Sequence, residues 1–370
     1  MTSTPREAGF HMPAEWEPQA AVWLAWPHHK TDFPGKLHAV RWTFAELARL
    51  ITEVARVRLL VATPREQAVA KAHFIAAGAD ISRVEFIRAD TNRSWTRDSL
   101  PSFVVRAVKG ASPRAGEPKA REVGAVKCAF NGWGRYRDHL RDDAAGVKVA
   151  RRFEAHWFPQ VTVSGKAQRF VLEGGAIDVD GQGTVLTTER CLLRGAHSRN
   201  PGLGREGTEQ ALRDALGVER VVWLPDGIAG DDTSGHIDDF CRFVAPGHVV
   251  LCQEPNRQRP NHAPLRAALE CLKGQRDARG RALTVATLPM PSEVSYRGDV
   301  LPASYANFLI VNGRVLVPTF NDPKDAEALG VLRELMPKHE VVGVYCRDLV
   351  VGLGTIHCST QQEPATTGRR

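Results

Sequence analysis

Phe308-Leu-Ile-Val-Asn-Gly-Arg-Val-Leu-Val317 reads as two short strands closed by a two-residue turn. Asn312-Gly313 supplies the two positive-φ positions such a hairpin needs. Downstream, Pro323–Met336 predicts a helix and Glu340-Val-Val-Gly-Val344 a third strand. The unit is thus strand, turn, strand, helix, strand, and it recurs. Ala176–Thr187 predicts a hairpin, followed by a helix near Thr208–Leu216 and the strand Arg220–Leu224. Phe240–Leu251 predicts another, followed by a helix near Ala263–Leu272 and the strand Leu283–Thr287. Two less regular units precede these. One has strands Pro101–Val108 and Glu122–Phe130, a helix near Asp142–Phe153 and a strand Gln160–Val163. The other has Ala20–Trp26, a helix near Leu37–Val54, Val57–Thr63, a helix near Arg65–Ala77 and Val84–Ile87. Starts roughly 60–75 residues apart are too widely spaced for a solenoid and suit sectors of a ring. The expectation is one α/β domain over residues 1–370, built of five ββαβ units around a central site. Val350–Cys358 would pair with the first unit to close it. Flexible ends are expected at 1–10 and 365–370.

Composition agrees with one large globular domain. Of 370 residues, 43 % are hydrophobic and 25 % charged, which excludes bulk disorder. No apolar run is long enough for a membrane helix, and the first residues lack a signal-peptide core. The expectation is a cytoplasmic protein with no membrane partner. The net charge of +7 invites a nucleic-acid reading. The excess is local, however: Pro101–Ala155 holds twelve basic and six acidic residues. The stretch 109–121 within it reads as a basic surface loop, so no nucleic-acid partner is expected. Seven widely spaced cysteines without a CxxC argue against a disulfide framework and a structural zinc site. A homo-oligomer stays open.

Reactive side chains fall at equivalent places in successive units. Trp95-Thr-Arg-Asp98 precedes the strand at Pro101, and Leu172-Glu173-Gly-Gly175 precedes the hairpin at Ala176. Gly235-His236-Ile-Asp238 precedes the hairpin at Phe240, and His357-Cys358 ends the closing segment. Taken singly, each has a plain structural explanation: a turn cap for Asp98, a loop acid for Glu173, a core histidine, a buried thiol. In a ring of units these positions converge, which brings Asp98, Glu173, His236, Asp238 and Cys358 together.

A Cys with a His and no metal pattern points to thiolate nucleophilic catalysis. An unperturbed thiol is only about 3 % ionised at pH 7. Three neighbouring carboxylates would lower that fraction further unless a cation binds between them. A planar guanidinium, whose donor fork matches carboxylates, is the natural cation. Asp98 and Asp238 would clamp its nitrogens and Glu173 would orient it. Cys358 would attack the central carbon, His236 would protonate the departing ammonia, and His236 would then activate water against an S-alkylthiouronium. The Gly352-Leu-Gly354 approach would let backbone come close to the substrate.

These residues resemble a known family. Met12-Pro-Ala-Glu-Trp-Glu-Pro, Trp95-Thr-Arg-Asp98, Leu172-Glu-Gly-Gly175, Gly235-His-Ile-Asp238 and Gly354-Thr-Ile-His-Cys-Ser-Thr-Gln-Gln-Glu-Pro364 look like the agmatine deiminases and related bacterial-type peptidyl-arginine deiminases. The resemblance runs from Met12 to Pro364. It implies the five-bladed α/β propeller (pentein) fold of guanidine-modifying enzymes, a Cys358 nucleophile, no metal and no organic cofactor. Agmatine as the small cationic guanidine substrate comes from this resemblance alone. The chain departs from the family pattern at Ser99-Leu-Pro101, Trp133-Gly-Arg135 and Ala176-Ile-Asp178. Asp231, Asp232 or Asp178 is expected to meet the distal amine, with Trp95 or Trp133 over the methylenes or in the core.

Other readings stay open. They are a deiminase of free or peptidyl arginine, an amidinotransferase using the same intermediate, a cysteine amide hydrolase, an RNA-binding protein, and a zinc protein using His236, Asp238 and Cys358.

Overall fold

The computed structural model describes residues 3–108, 120–159, 162–163 and 166–366. Most of the basic loop, 109–119, and the last residues, 367–370, lie outside the described residues.

Four sheets repeat one plan: an antiparallel pair, then a crossover helix and a parallel third strand. They are Ser102–Ala107, Arg121–Val126 and Trp157–Phe158; Asp178–Val179, Thr184–Thr188 and Arg220–Leu224; Cys241–Ala245, His248–Gln253 and Thr284–Pro289; and Leu309–Val311, Arg314–Thr319 and Glu340–Tyr345. The fifth sheet joins the two ends of the chain. Gln361–Pro364 lies antiparallel to Gln19–Ala25, which pairs in parallel with Arg56–Val61 and then Val84–Arg88. Asn312 and Gly313 take φ of 41° and 83° in the hairpin turn, with Val311 opposite Arg314. This turn is therefore set by local sequence.

Several crossover helices are amphipathic. The helix Leu37–Thr52 buries Val40, Phe44, Leu47 and Ile51, one stripe at helical spacing. Thr63 caps the next helix by accepting from the Glu66 N–H, and Pro64 opens it.

Three expectations are corrected. The third strand of the Ser102 sheet is Trp157–Phe158 and not Gln160–Val163, because the helix Leu140–Ala150 runs on as the tight turn Arg151–His156 directly into the strand. The closing segment is not Val350–Cys358. Leu349–Gly352 is a 3₁₀ turn, residues 356–359 form another turn, and pairing starts at Gln361. Order at the N-terminus begins before residue 10: Phe10 is 2 % exposed, and its N–H donates to the Pro5 carbonyl in a turn. At the other end, the Ala365 N–H donates to the Pro18 carbonyl.

The antiparallel pairs position the site. A short turn stands just before the leading strand of each sheet: Thr96–Ser99, Gly174–Ala176, Ile237–Asp239, the buried stretch Ser304–Phe308, and the 356–359 turn. The Thr96–Ser99 and Gly174–Ala176 turns pack together, as do Gly174–Ala176 and Ile237–Asp239. The Thr96 hydroxyl donates to the Ser359 carbonyl at 2.8 Å, and the Arg97 N–H donates to the Cys358 carbonyl at 3.2 Å.

Candidate active site

The Thr96–Ser99 and 356–359 turns border a cavity of about 280 Å³, with Cys358 on its wall. Trp95, Asp98, Trp133, Asp232 and Gly354 also line it. The chain comes very close there. A Cβ added to Gly354 would stand 3.2 Å from Cys358 Sγ and 3.0 Å from the Trp95 ring. One added to Gly175 would stand 2.5 Å from His236 Nδ1 and 2.9 Å from Asp98 Oδ1. Close approach therefore requires glycine at 175 and leaves a side chain at 354 crowded against the cysteine.

Asp98 and Cys358 line the cavity, Glu173, His236 and Asp238 cluster with Asp98, and all five are buried. Asp98 Oδ1 accepts from the Gly175 N–H and Oδ2 from the Trp133 indole N–H, each at 2.9 Å. Burial pushes the Asp98 carboxyl up to about 6, with Asp238 and Glu173 adding repulsion and His236 opposing. The His236 ring lies 3.8 Å from Asp98, 3.7 Å from Glu173 and 4.0 Å from Asp238, ion-pair distances beyond hydrogen-bond reach. Burial works against an imidazolium, yet Asp98 and its neighbours outweigh it and hold His236 well above its ordinary pKa. Glu173 is gripped by Arg199, whose Nε donates to its two oxygens at 2.8 and 3.0 Å. Burial disfavours the Glu173 charge, but Arg199 and His236 overcome it and hold the carboxyl at about 2.

Asp238 is held from behind. Its Oδ2 pairs with His357 Nδ1 at 2.6 Å, which overcomes burial and keeps the carboxyl below its usual value. Cys358 Sγ lies 3.7 Å from that same oxygen. Burial, then Asp238, Asp239 and Asp98, push the Cys358 thiol well above its ordinary pKa. Among the described residues, Asp238 Oδ1 and both His236 ring nitrogens are buried without a hydrogen-bond partner. Orphaned buried polar atoms of this kind are costly. Asp238 Oδ1, with the Asp98 carboxyl close by, calls for a cationic donor, whereas the charged His236 ring has protons to give.

Two tail-binding expectations fail. Asp178 accepts from the Arg242 guanidinium at 3.2 Å and from the Phe243 N–H at 2.6 Å, away from the cavity. Asp231 ties its own loop, accepting from the N–H groups of Thr233 and Gly235 at 2.7 and 2.6 Å. Both carboxylates are used up by local structure. Asp232 does line the cavity, accepting the Tyr136 hydroxyl at 2.5 Å. Trp95 and Trp133 serve as core and wall at once.

The structure adds residues the motifs missed. Asn307 donates to Cys358 Sγ at 3.1 Å. Glu15 accepts from His357, Arg242 and the Ile310 N–H at 2.8, 2.9 and 2.6 Å. Arg93, Tyr136 and Arg297 line the cavity. Asn307 was within reach of the register argument, because it precedes the Leu309 hairpin as Asp238 precedes the Cys241 hairpin. His236, Asp238 and Cys358 do not form one metal-sized cluster among the described residues. The compact groups are Glu173–Cys191–His236 and Asp238–Asp239–Cys358, and Arg199 already neutralises Glu173 in the first.

Fold and site together define an α/β enzyme centred on a buried cysteine beside a carboxylate set that calls for a cation. The comparisons agree. A profile of the Porphyromonas-type peptidyl-arginine deiminase family matches residues 11–364. The agmatine deiminase of Stutzerimonas stutzeri (strain A1501) is 38 % identical over 99 % of this chain and 98 % of its own. The solved agmatine deiminase of Enterococcus faecalis superposes with a TM-score of 0.86 at 34 % identity, covering 98 % of both chains. An agmatine deiminase variant of C. jejuni solved with substrate bound gives 0.81 at 27 % identity, over 96 % of this chain and 97 % of that one. The chain belongs to the Porphyromonas-type peptidyl-arginine deiminase family.

Proposed function

We propose that the chain hydrolyses agmatine to N-carbamoylputrescine and ammonia through a covalent intermediate on Cys358. The observation that carries this is the carboxylate beside the nucleophile: Asp238 Oδ2 stands 3.7 Å from the Cys358 sulfur, and its Oδ1 is buried without a hydrogen-bond partner among the described residues. A guanidinium supplies the donor that Asp238 Oδ1 lacks and the missing positive charge. Its entry neutralises Asp98 and Asp238, the groups that hold the Cys358 proton on, and so releases the thiolate.

Thiolate attack on the guanidinium carbon gives a neutral tetrahedral adduct. The His236 imidazolium protonates one NH2, the C–N bond breaks, ammonia leaves, and an S-alkylthiouronium remains with His236 neutral. His236 then takes a proton from water as its oxygen adds to the same carbon. Collapse expels the thiolate, the C–S bond breaks, and the protonated ureido product gives its proton to ammonia. Glu173, fixed by Arg199, keeps the imidazole charged and in place.

A second reading has one observation in its favour. Arg93 and Arg297 line the cavity and would face the carboxylate or backbone of free or peptidyl arginine. Arg93 is already tied to Asp138 at 3.1 Å and lies over the Tyr136 ring, which favours agmatine. An amidinotransferase would use an amine in place of water.

The five sheets are the blades of a five-bladed α/β propeller in one catalytic domain over 1–370. The pairing of Gln361–Pro364 with Gln19–Ala25 supports that closure. All seven cysteines are free, as action in the reducing cytoplasm requires. No helix among the described residues is long and apolar enough to cross a membrane.

The test is ammonia release from agmatine, free arginine and a blocked arginyl peptide, with Cys358→Ser beside each. Release from agmatine that is lost in the variant supports the reading. Release from the arginine compounds alone moves the substrate, and unchanged release by the variant removes the covalent mechanism.

A further inference from the structure

Asn307 sits at the place in the Leu309–Tyr345 unit where the other units carry their reactive side chains. It is 1 % exposed and stands two residues before the strand Leu309–Val311. The orientation of its amide is fixed by its partners. Three groups converge on Oδ1: the Thr355 hydroxyl at 2.8 Å and the backbone N–H groups of His357 and Cys358 at 3.0 and 3.3 Å. A backbone N–H can only donate, so the atom facing those two must be the carbonyl oxygen. Nδ2 then points the other way, with its two hydrogens toward Cys358 Sγ and Asp239 Oδ1, each at 3.1 Å.

We propose that Asn307 is a further catalytic residue: its amide N–H holds the Cys358 thiolate while its carbonyl oxygen holds the backbone that carries the cysteine. The inference rests on the reading of Cys358 as the nucleophile. The sulfur's other close polar neighbour is the Asp238 carboxylate, which repels an anion. An N–H to sulfur favours the ionised over the protonated form. Of the groups acting on this thiol, Asn307 works against burial and the three carboxylates. One planar side chain therefore sets both the position and the ionisation of the nucleophile.

The test is the pH dependence of kcat for ammonia release at saturating agmatine, in the wild type, Asn307→Ala and Asn307→Asp. Asn307→Asp keeps an oxygen for the His357 and Cys358 N–H groups and loses the N–H to sulfur. The acid limb reports thiolate formation and the alkaline limb the His236 imidazolium. Losing a hydrogen bond to a charged group is expected to move the acid limb up by about 1–2 pH units in both variants, with most of the rate regained above it. The shift is larger in Asn307→Asp, which adds a like charge. The alkaline limb stays nearer its wild-type position. An unmoved acid limb with kcat lowered at every pH would overturn the proposal and leave Asn307 a backbone clamp. Should Asn307→Ala fail to fold, Asn307→Asp carries the test. A Cys358→Ser protein that still releases ammonia would remove the underlying nucleophile instead, an outcome separate from either.

Discussion

Behind the cavity floor, Glu15, His357, Arg242 and Asp178 form a buried layer in which each carboxylate has a cation. Arg242 reaches Glu15 at 2.9 Å and Asp178 at 3.2 Å, and His357 bridges Glu15 and Asp238. On the floor itself the same residue types are equally buried, yet His236 and Asp238 Oδ1 have no hydrogen-bond partner among the described residues. The layer behind is finished by folding, and the floor is finished only by a ligand. Between these two groups of residues, saturation rather than burial or residue type makes the difference.

The sharpest way to break this comparison is to remove the sulfur. Cys358→Ser is expected to reduce ammonia release from agmatine to the uncatalysed background while the thermal unfolding midpoint stays near the wild type's. A midpoint several degrees lower would place Cys358 on the scaffold side.

Asp238→Asn keeps the shape and removes the charge that faces the substrate. A drop in kcat/KM of about 10²–10³-fold is expected, as for losing one partner of a buried charged hydrogen bond. Arg242→Met should do the reverse. It strands Glu15 and Asp178 without their cation and is expected to cost about 3–5 kcal/mol of stability by urea unfolding. The activity per folded molecule should change little.

Asp98 gives the comparison a pH axis. Its carboxyl titrates near 6 when folded, above the ordinary Asp value. The folded state therefore binds this proton more tightly than the unfolded chain does. Asp98 thus lowers stability as pH rises from the ordinary carboxylate range to about 6. A bound cation needs the ionised form. Agmatine affinity of Cys358→Ser, measured by calorimetry, should rise by roughly tenfold per unit below that pKa and level off above it. Flat affinity between pH 5 and pH 7 would show that Asp98 does not meet the cation. Glu173 behaves oppositely: its carboxyl, held at about 2, stabilises the fold above the ordinary Glu value and loses that effect as pH falls.

The smallest effect is expected from Trp133→Phe, which keeps the wall and removes the indole N–H from Asp98. One lost hydrogen bond to a carboxylate predicts a kcat/KM reduced by about tenfold. An unchanged value would leave Trp133 as packing alone.

Much of the fold could be read directly. The strand Arg220–Leu224 and the Asn312-Gly313 turn stand where expected, because hairpin chemistry and alternating apolar runs act over a few residues. The misreadings lie where tertiary contact overrides a local pattern. The segment Val350–Cys358 reads as a closing strand, but it folds into turns that bring Gly354 against Trp95 and Cys358. The same division holds in the site. Asp98, Glu173, His236, Asp238 and Cys358 were visible as reactive types at matching places in repeated units. Asp178 and Asp231 were as acidic and as near in sequence, but Arg242 and a loop's own N–H groups consume them.

The sequence by itself determined the repeated unit, the α/β class and the five reactive side chains, since these follow from spacing and residue chemistry along the chain. Tertiary structure alone decided which of those charges are satisfied. Glu15 and His357 lie 342 positions apart in the chain and meet at 2.8 Å. Asn307 reaches Cys358 across 51. Hydrogen bonds and charge pairing act over a few ångströms, so a carboxylate becomes scaffold or site only when folding has chosen its neighbours.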